Sequence, residues 1–308
     1  MIYPKPIKKG DTIAVISPSS EVKPEYVGGA SAVLEELGYV VRVMPSALGP
    51  ADGSYASSQE RRLADFREAW HDPRVRVVLC ARGGYGAVHL LQHITYGELL
   101  ADPKWLVGFS DISALHARIN AAGIVSLHAP MAKHLARLGA HDPCTYSMFK
   151  ILSDEKPCMD YTLMPHPYNI PGCGEGALRG GNLAVLSHLL STPYDLLTPD
   201  PGENVILFIE DVSEAIYATE RMLWQLSLSG ALRRYKGILV GSFTETRADK
   251  NFPDTAAMIR ARLSDWGVDG VPVAFGVPVG HTDHNIPLIE GASVRLEVST
   301  DSVHIYSI

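Results

Sequence analysis

Short runs of apolar, largely β-branched residues alternate with helix-patterned stretches through the first half of the chain. Residues 12–17 (TIAVIS), 39–44 (YVVRVM), 75–81 (VRVVLCA), 105–109 (WLVGF) and 124–127 (IVSL) read as strands. Residues 26–37, 57–70, 87–94 and 111–122 separate them and carry apolar positions at helical spacing. The stretch 57–70 opens on SSQE, a capping signal, and two others stop at Gly38 and Gly123. Strands of continuous apolar character have no face to show to water. This order therefore predicts a parallel sheet covered by helices on both faces. Ligands of such sheets sit at the carboxyl ends of the strands.

The texture changes between about 156 and 181, where Pro and Gly are frequent and helical period is weak. This stretch reads as the crossing between two domains. The expected boundaries are 1–155 for an N-terminal α/β domain, 156–175 for a linker and 176–308 for a C-terminal β/α domain. The stretch 128–171 is expected to hold a loop. In the second half, strands are expected at 205–210, 237–241, 271–275, 294–298 and 303–307. Helices are expected at 183–190, 215–228 and 254–266.

With 308 residues, 46% hydrophobic and 20% charged, the chain can fill two cores without disulfide or metal staples. A formal charge of −7 argues against a general nucleic-acid binder, which needs a basic face. No stretch approaches the ~20 apolar residues of a membrane helix. The N-terminal apolar run is too short for a signal peptide. Cys80, Cys144, Cys158 and Cys173 have no zinc or redox spacing, so free thiols in the cytoplasm are expected.

Four places can carry chemistry. Gly108-Phe109-Ser110-Asp111 lies where a buried strand meets a helix, so a serine there stands at the sheet edge beside free backbone amides. Taken alone, the motif reads first as a helix N-cap, and it lacks the second glycine of G-x-S-x-G. Arg82-Gly83-Gly84-Tyr85-Gly86 is either a tight strand–helix turn or a backbone cradle for a ligand oxygen; it is neither a P-loop nor G-x-G-x-x-G. Glu210 ends an apolar strand, where a carboxylate can orient a histidine. His281 sits in the glycine-flanked loop GHTDHN. A metal held by His281, Asp283 and His284 is the weaker reading, because the spacing matches no zinc pattern. His128 lies at a strand end and is assigned no catalytic role. Ser110, Glu210 and His281 together have the parts of a nucleophile–base–acid relay. That relay is expected in the cleft between the domains.

Longer stretches carry a resemblance to a known family. GDTIAVISPSS, ARGGYGA, VGFSDISALH, RGGNLAVLSHLL, LFIEDVSEAIYATERML, GILVGSFTE and FGVPVGH followed by IPLIEGASVRL are similar, in order, to the LD-carboxypeptidases. That serine peptidase family also includes the microcin C immunity peptidases. The resemblance implies an N-terminal flavodoxin-like parallel sheet and a C-terminal mixed β/α domain. It implies a triad of Ser110, Glu210 and His281, with an oxyanion hole from the backbone amides of Gly84 and Asp111. It further implies a metal- and cofactor-independent cytoplasmic enzyme, a homodimer, that releases D-alanine from murein tetrapeptides in cell-wall recycling. Arg82 is the candidate for the substrate's terminal carboxylate. Phe109 stands where the family often has Tyr, and Ala215-Ile216 where two prolines are common. Two rivals remain: an immunity-type peptidase cleaving aminoacyl-nucleotide conjugates, and a non-catalytic binder of small ligands.

Overall fold

The computed structural model describes residues 1–308, which form two compact units. The first comprises 1–157 together with 285–289. Its strands β1 (Thr12–Ile16), β2 (Val40–Val43), β3 (Val75–Cys80), β4 (Trp105–Gly108) and β5 (Ser126–His128) pair in parallel. A sixth strand, Leu288–Glu290, comes from late in the chain and lies beside β5 at the sheet edge. β3, β4 and β5 are almost wholly buried, as continuous apolar runs require. Helices α1 (Pro24–Glu36), α2 (Gln59–His71), α3 (Tyr96–Ala101), α4 (Ser113–Ala121), α5 (Ala132–Leu138) and α6 (Pro143–Ser153) complete the unit.

Most of the expected elements are present, and the exceptions have physical causes. Ser58 caps α2 by accepting the Arg61 N–H. Residues 87–93 are 3₁₀ turns rather than an α-helix. There the Ala87 N–H and the Gly86 carbonyl are taken by tertiary partners, Asp111 and Arg62. The part of 128–171 expected to be loop contains α5, α6 and a strand. α6 is opened by Asp142, whose side chain accepts the Thr145 N–H.

The second unit comprises 158–284 and 290–308. Its strands are β6 (Asp160–Leu163), β7 (Gly172–Asn182), β8 (Val205–Val212), β9 (Gly237–Thr244) and β10 (Val273–Phe275). Leu288–Glu290 is β11, followed by β12 (Ser293–Val298) and β13 (Val303–Ser307). The seven-stranded sheet runs β10-β9-β8-β7-β12-β13-β6. β7 to β10 pair in parallel, and β12, β13 and β6 add antiparallel partners, so the sheet is mixed. Helices α7 (Leu183–Ser187), α8 (Ile216–Leu228) and α9 (Thr255–Asp265) accompany it.

The stretch 156–175 is therefore not a plain linker: it holds β6 and the start of β7. Its glycines hide the strand from a sequence reading. A Cβ at Gly174 would overlap the Lys236 carbonyl, and further along β7 one at Gly180 would overlap the Phe208 carbonyl. Neighbouring backbone comes too close for side chains, which is a known use of glycine in strands.

Candidate active site

In the first unit, β4 delivers Ser110. Phe109 is still extended, and Ser110 then turns to φ 67°, one of four non-glycine residues with positive φ. Such a conformation costs on the order of 1–3 kcal/mol and persists only where its surroundings enforce it. The same strained strand-to-helix turn exposes nucleophiles in other hydrolase folds. Here the turn is anchored just upstream. His116, fully buried in α4, donates from Nε2 to the Gly108 carbonyl at 2.9 Å. Its Nδ1 meets the Ser126 hydroxyl at 2.8 Å, and that hydroxyl accepts from Asn120 Nδ2 at 3.0 Å. Burial pushes the His116 imidazole down to about 4, so it holds the turn as a neutral group.

The glycine loop is packed on this turn. A Cβ at Gly83 would stand 2.9 Å from Ser110 Cβ and 3.0 Å from its Oγ. Gly84 has φ 111°, and a Cβ there would collide with the Ser20 side chain. Gly83 thus makes the close approach to Ser110, while Gly84 takes the conformation closed to other residues. Arg82 is exposed and donates from Nη1 to the Glu21 carbonyl at 3.0 Å. His128 is fully buried, its ring 5.6 Å from that of Phe109, so it is a core residue of the nucleophile strand's surroundings.

In the second unit, β8 carries Glu210 two residues before its end, and the side chain is fully buried. The pairing of β8 with β9 shifts register between Ile209 and Asp211, so that Glu210 faces two residues of β9, Gly241 and Ser242. The extra residue bends β9 locally without breaking the sheet. Glu210 Oε2 lies 2.8 Å from His281 Nδ1, and Oε1 takes no hydrogen bond. A Cβ at Gly280 would fall 2.6 Å from that same Oε2, and Gly280 has φ 116°, so glycine is needed on both counts. Asp211, next in the strand, accepts from Asn182 Nδ2 (3.0 Å), the Ala184 N–H (2.8 Å) and the Val212 N–H (2.8 Å). Burial pushes its carboxyl up to about 6; the Glu210 charge adds to this and the hydrogen bonds oppose it.

The structure brings Glu210 and His281 together, as their sequence positions suggested, and holds Ser110 in the other unit. No group of three His, Cys, Asp or Glu side chains is arranged to hold a metal, His281, Asp283 and His284 included. Sequence reasoning missed His116, Asp211, Asn182 and the contact of Gly83 with Ser110. The one local signal was composition, since polar residues inside apolar stretches mark buried networks.

Comparison with known proteins matches the two parts of the chain separately. Residues 13–129 match the family model of the LD-carboxypeptidase N-terminal domain, and 175–296 that of its C-terminal domain. The first match contains Ser110 and the glycine loop, and the second contains Glu210 and His281. The chain is 35% identical over 300 residues to a probable murein peptide carboxypeptidase of Bacillus subtilis, covering 96% of this chain and 92% of that one. The muramoyltetrapeptide carboxypeptidase of Oxalobacter formigenes superposes with a TM-score of 0.83 at 29% identity, over 96% of this chain and 98% of that one. An MccF-like protein of Bacillus anthracis superposes with a TM-score of 0.86 at 25% identity, over 100% and 99%.

Proposed function

Because the chain belongs to the LD-carboxypeptidase family, we propose that it is a serine carboxypeptidase that removes D-alanine from murein tetrapeptides. The observation that carries this reading is the 2.8 Å contact between His281 Nδ1 and the buried Glu210 carboxylate. A carboxylate on Nδ1 fixes the proton there and leaves Nε2 as the base. It also stabilises the imidazolium that forms when that base takes a proton.

The reaction is an acyl transfer. Ser110 Oγ attacks the carbonyl carbon preceding D-alanine and gives its proton to His281 Nε2. The carbonyl oxygen becomes an oxyanion on the N–H groups of Gly84 and Asp111. The C–N bond breaks as His281 returns the proton to the leaving amine. Water, deprotonated by His281, then attacks the acyl-serine, and Ser110 leaves as the hydroxyl. In this scheme Arg82 meets the terminal carboxylate of the peptide. The enzyme acts in the cytoplasm as a homodimer, which subcellular fractionation and sedimentation would each measure. None of its helices is long and apolar enough to cross a membrane.

The test is D-alanine release from an L-lysine or meso-diaminopimelate tetrapeptide. Release by the wild type, with Ser110→Ala slower by about 10⁴-fold or more, is the expected result. Equal release by both proteins sinks the serine mechanism. The likeness to an MccF-like protein favours one second reading, hydrolysis of an aminoacyl-nucleotide conjugate by the same residues. Wild type inert on the tetrapeptide but active on an aminoacyl sulfamoyl nucleoside would select it.

A further inference from the structure

Three segments of the first unit converge on one carboxylate. Asp111 follows Ser110 in the chain, and its side chain turns inward and is only 3% exposed. Oδ2 accepts the Ser19 hydroxyl at 2.6 Å and the Ala87 N–H at 2.8 Å. Ser19 belongs to the loop that leaves β1, and Ala87 closes the glycine loop after β3. Burial raises this carboxyl above its usual range, while the two hydrogen bonds and the nearby His89 and Arg62 favour its charge.

The two loops are also tied to each other. The Ser20 N–H donates to the Gly83 carbonyl at 3.3 Å, and the Tyr85 N–H to Ser20 Oγ at 3.1 Å. Arg62, itself 1% exposed, spans both from Nη1, donating to the Pro18 carbonyl at 2.5 Å and the Gly86 carbonyl at 2.8 Å. Residues 18–20 and 83–87 therefore form one braced piece, and the Asp111 carboxylate joins it to the nucleophile turn.

We infer that the Asp111 carboxylate is a positioning residue that sets the glycine-loop N–H against its own N–H, so that both donors aim at one oxyanion. The inference rests on the reading of Ser110 as nucleophile. An oxyanion hole works through donors fixed before the reaction, and a displacement near 1 Å costs on the order of 10² in rate. The backbone of Asp111 supplies one donor, while its side chain holds the other in place. Both bonds reach the same oxygen, so an asparagine amide oxygen can accept both, and an alanine neither.

The test is phosphonylation of Ser110 by a fluorophosphonate, which builds negative charge on an oxygen in the same hole and needs no peptide substrate. The labelled fraction at the end point, read by intact mass, counts folded active sites. The rate per labelled site reads the donors. The expected result is wild type labelled at Ser110 and Asp111→Ala slower by about 10², with Asp111→Asn restored to within about tenfold of wild type. Ser19→Ala, which removes one tie and leaves the Ala87 bond, is expected to be slower by about tenfold. A merely structural role would lower the labelled fraction and leave the rate per site unchanged. Asp111→Ala labelled at the wild-type rate overturns the positioning role and leaves the nucleophile standing. If Asp111→Ala does not fold, an unchanged rate in Ser19→Ala overturns it equally. Equal labelling of Ser110→Ala, or no labelling of the wild type, overturns the nucleophile reading and this inference with it.

Discussion

The carboxyl ends of β4 and β8 both close buried parallel strands, yet they present their functional groups by opposite means. At the end of β4 the backbone supplies the geometry. Ser110 is held at positive φ, Gly83 is packed on its side chain, and His116 and Asp111 fix the turn from either side. At the end of β8 the side chains supply it. Glu210 faces a register shift in β9, is buried, and is met by a histidine that a glycine loop brings to it. A nucleophile must be exposed and rigid, which strain and tight turns achieve. An orienting carboxylate must be desolvated and paired, which burial achieves.

The comparison is broken most severely at the second end. Glu210→Gln keeps the volume and removes the charge that fixes the His281 tautomer. It is expected to lower kcat by about 10⁴ while circular dichroism stays that of the wild type. A loss of tenfold or less would mean that Glu210 does not orient the base.

Alanine at the two close-approach glycines sharpens the contrast. Gly83→Ala inserts a methyl against Ser110 without requiring positive φ. Its expected effect is a fall in kcat of about 10² with little change in Tm. Gly280→Ala crowds Glu210 and also strains the backbone, so kcat and Tm should both fall, the latter reflecting about 1–3 kcal/mol. Equal melting of the two variants would contradict the assignment of strain to Gly280 alone.

The two ends also carry opposite pH signatures. His116 is held at about 4 in the fold and returns to its ordinary value near 6.5 when unfolded. The unfolded chain therefore takes the proton first, and stability falls as pH drops from about 6.5 toward 4, by about 2–3 kcal/mol at pH 4.5. Asp211 is held at about 6, above its unfolded value, so its burial favours the fold at low pH and this contribution is lost as pH rises from about 4 through 6. Urea unfolding at pH 7 and pH 4.5 reads both. His116→Gln should lose less stability on acidification than the wild type, and Asp211→Asn more. An unchanged pH dependence in His116→Gln would show that the histidine is not held neutral.

The smallest expected effect lies at Arg82, exposed and tied only by one bond to Glu21. Arg82→Gln should raise KM about tenfold, with kcat and Tm near wild type. An unchanged KM would remove Arg82 from carboxylate recognition.

Local pattern by itself determined the strand–helix alternation, the parallel sheet of the first unit and the positions of Ser110, Glu210 and His281 at strand ends and in a glycine-flanked loop. Each of these is written within a few residues, as period, branched side chains and turn glycines. The tertiary structure decided what joins across long separations. Ser19 and Asp111 are 92 residues apart and meet in one hydrogen bond; Glu210 and His281 are 71 apart. It also decided that 285–289 return to the first unit and that a glycine-rich stretch is the strand β7. Those outcomes depend on which backbone lies alongside, and how closely, and no short window of sequence holds that information. The nucleophile turn was legible because a serine at a strand–helix junction is a local event. Its bracing was not, because a buried carboxylate acquires its partners only when two distant loops have closed on it.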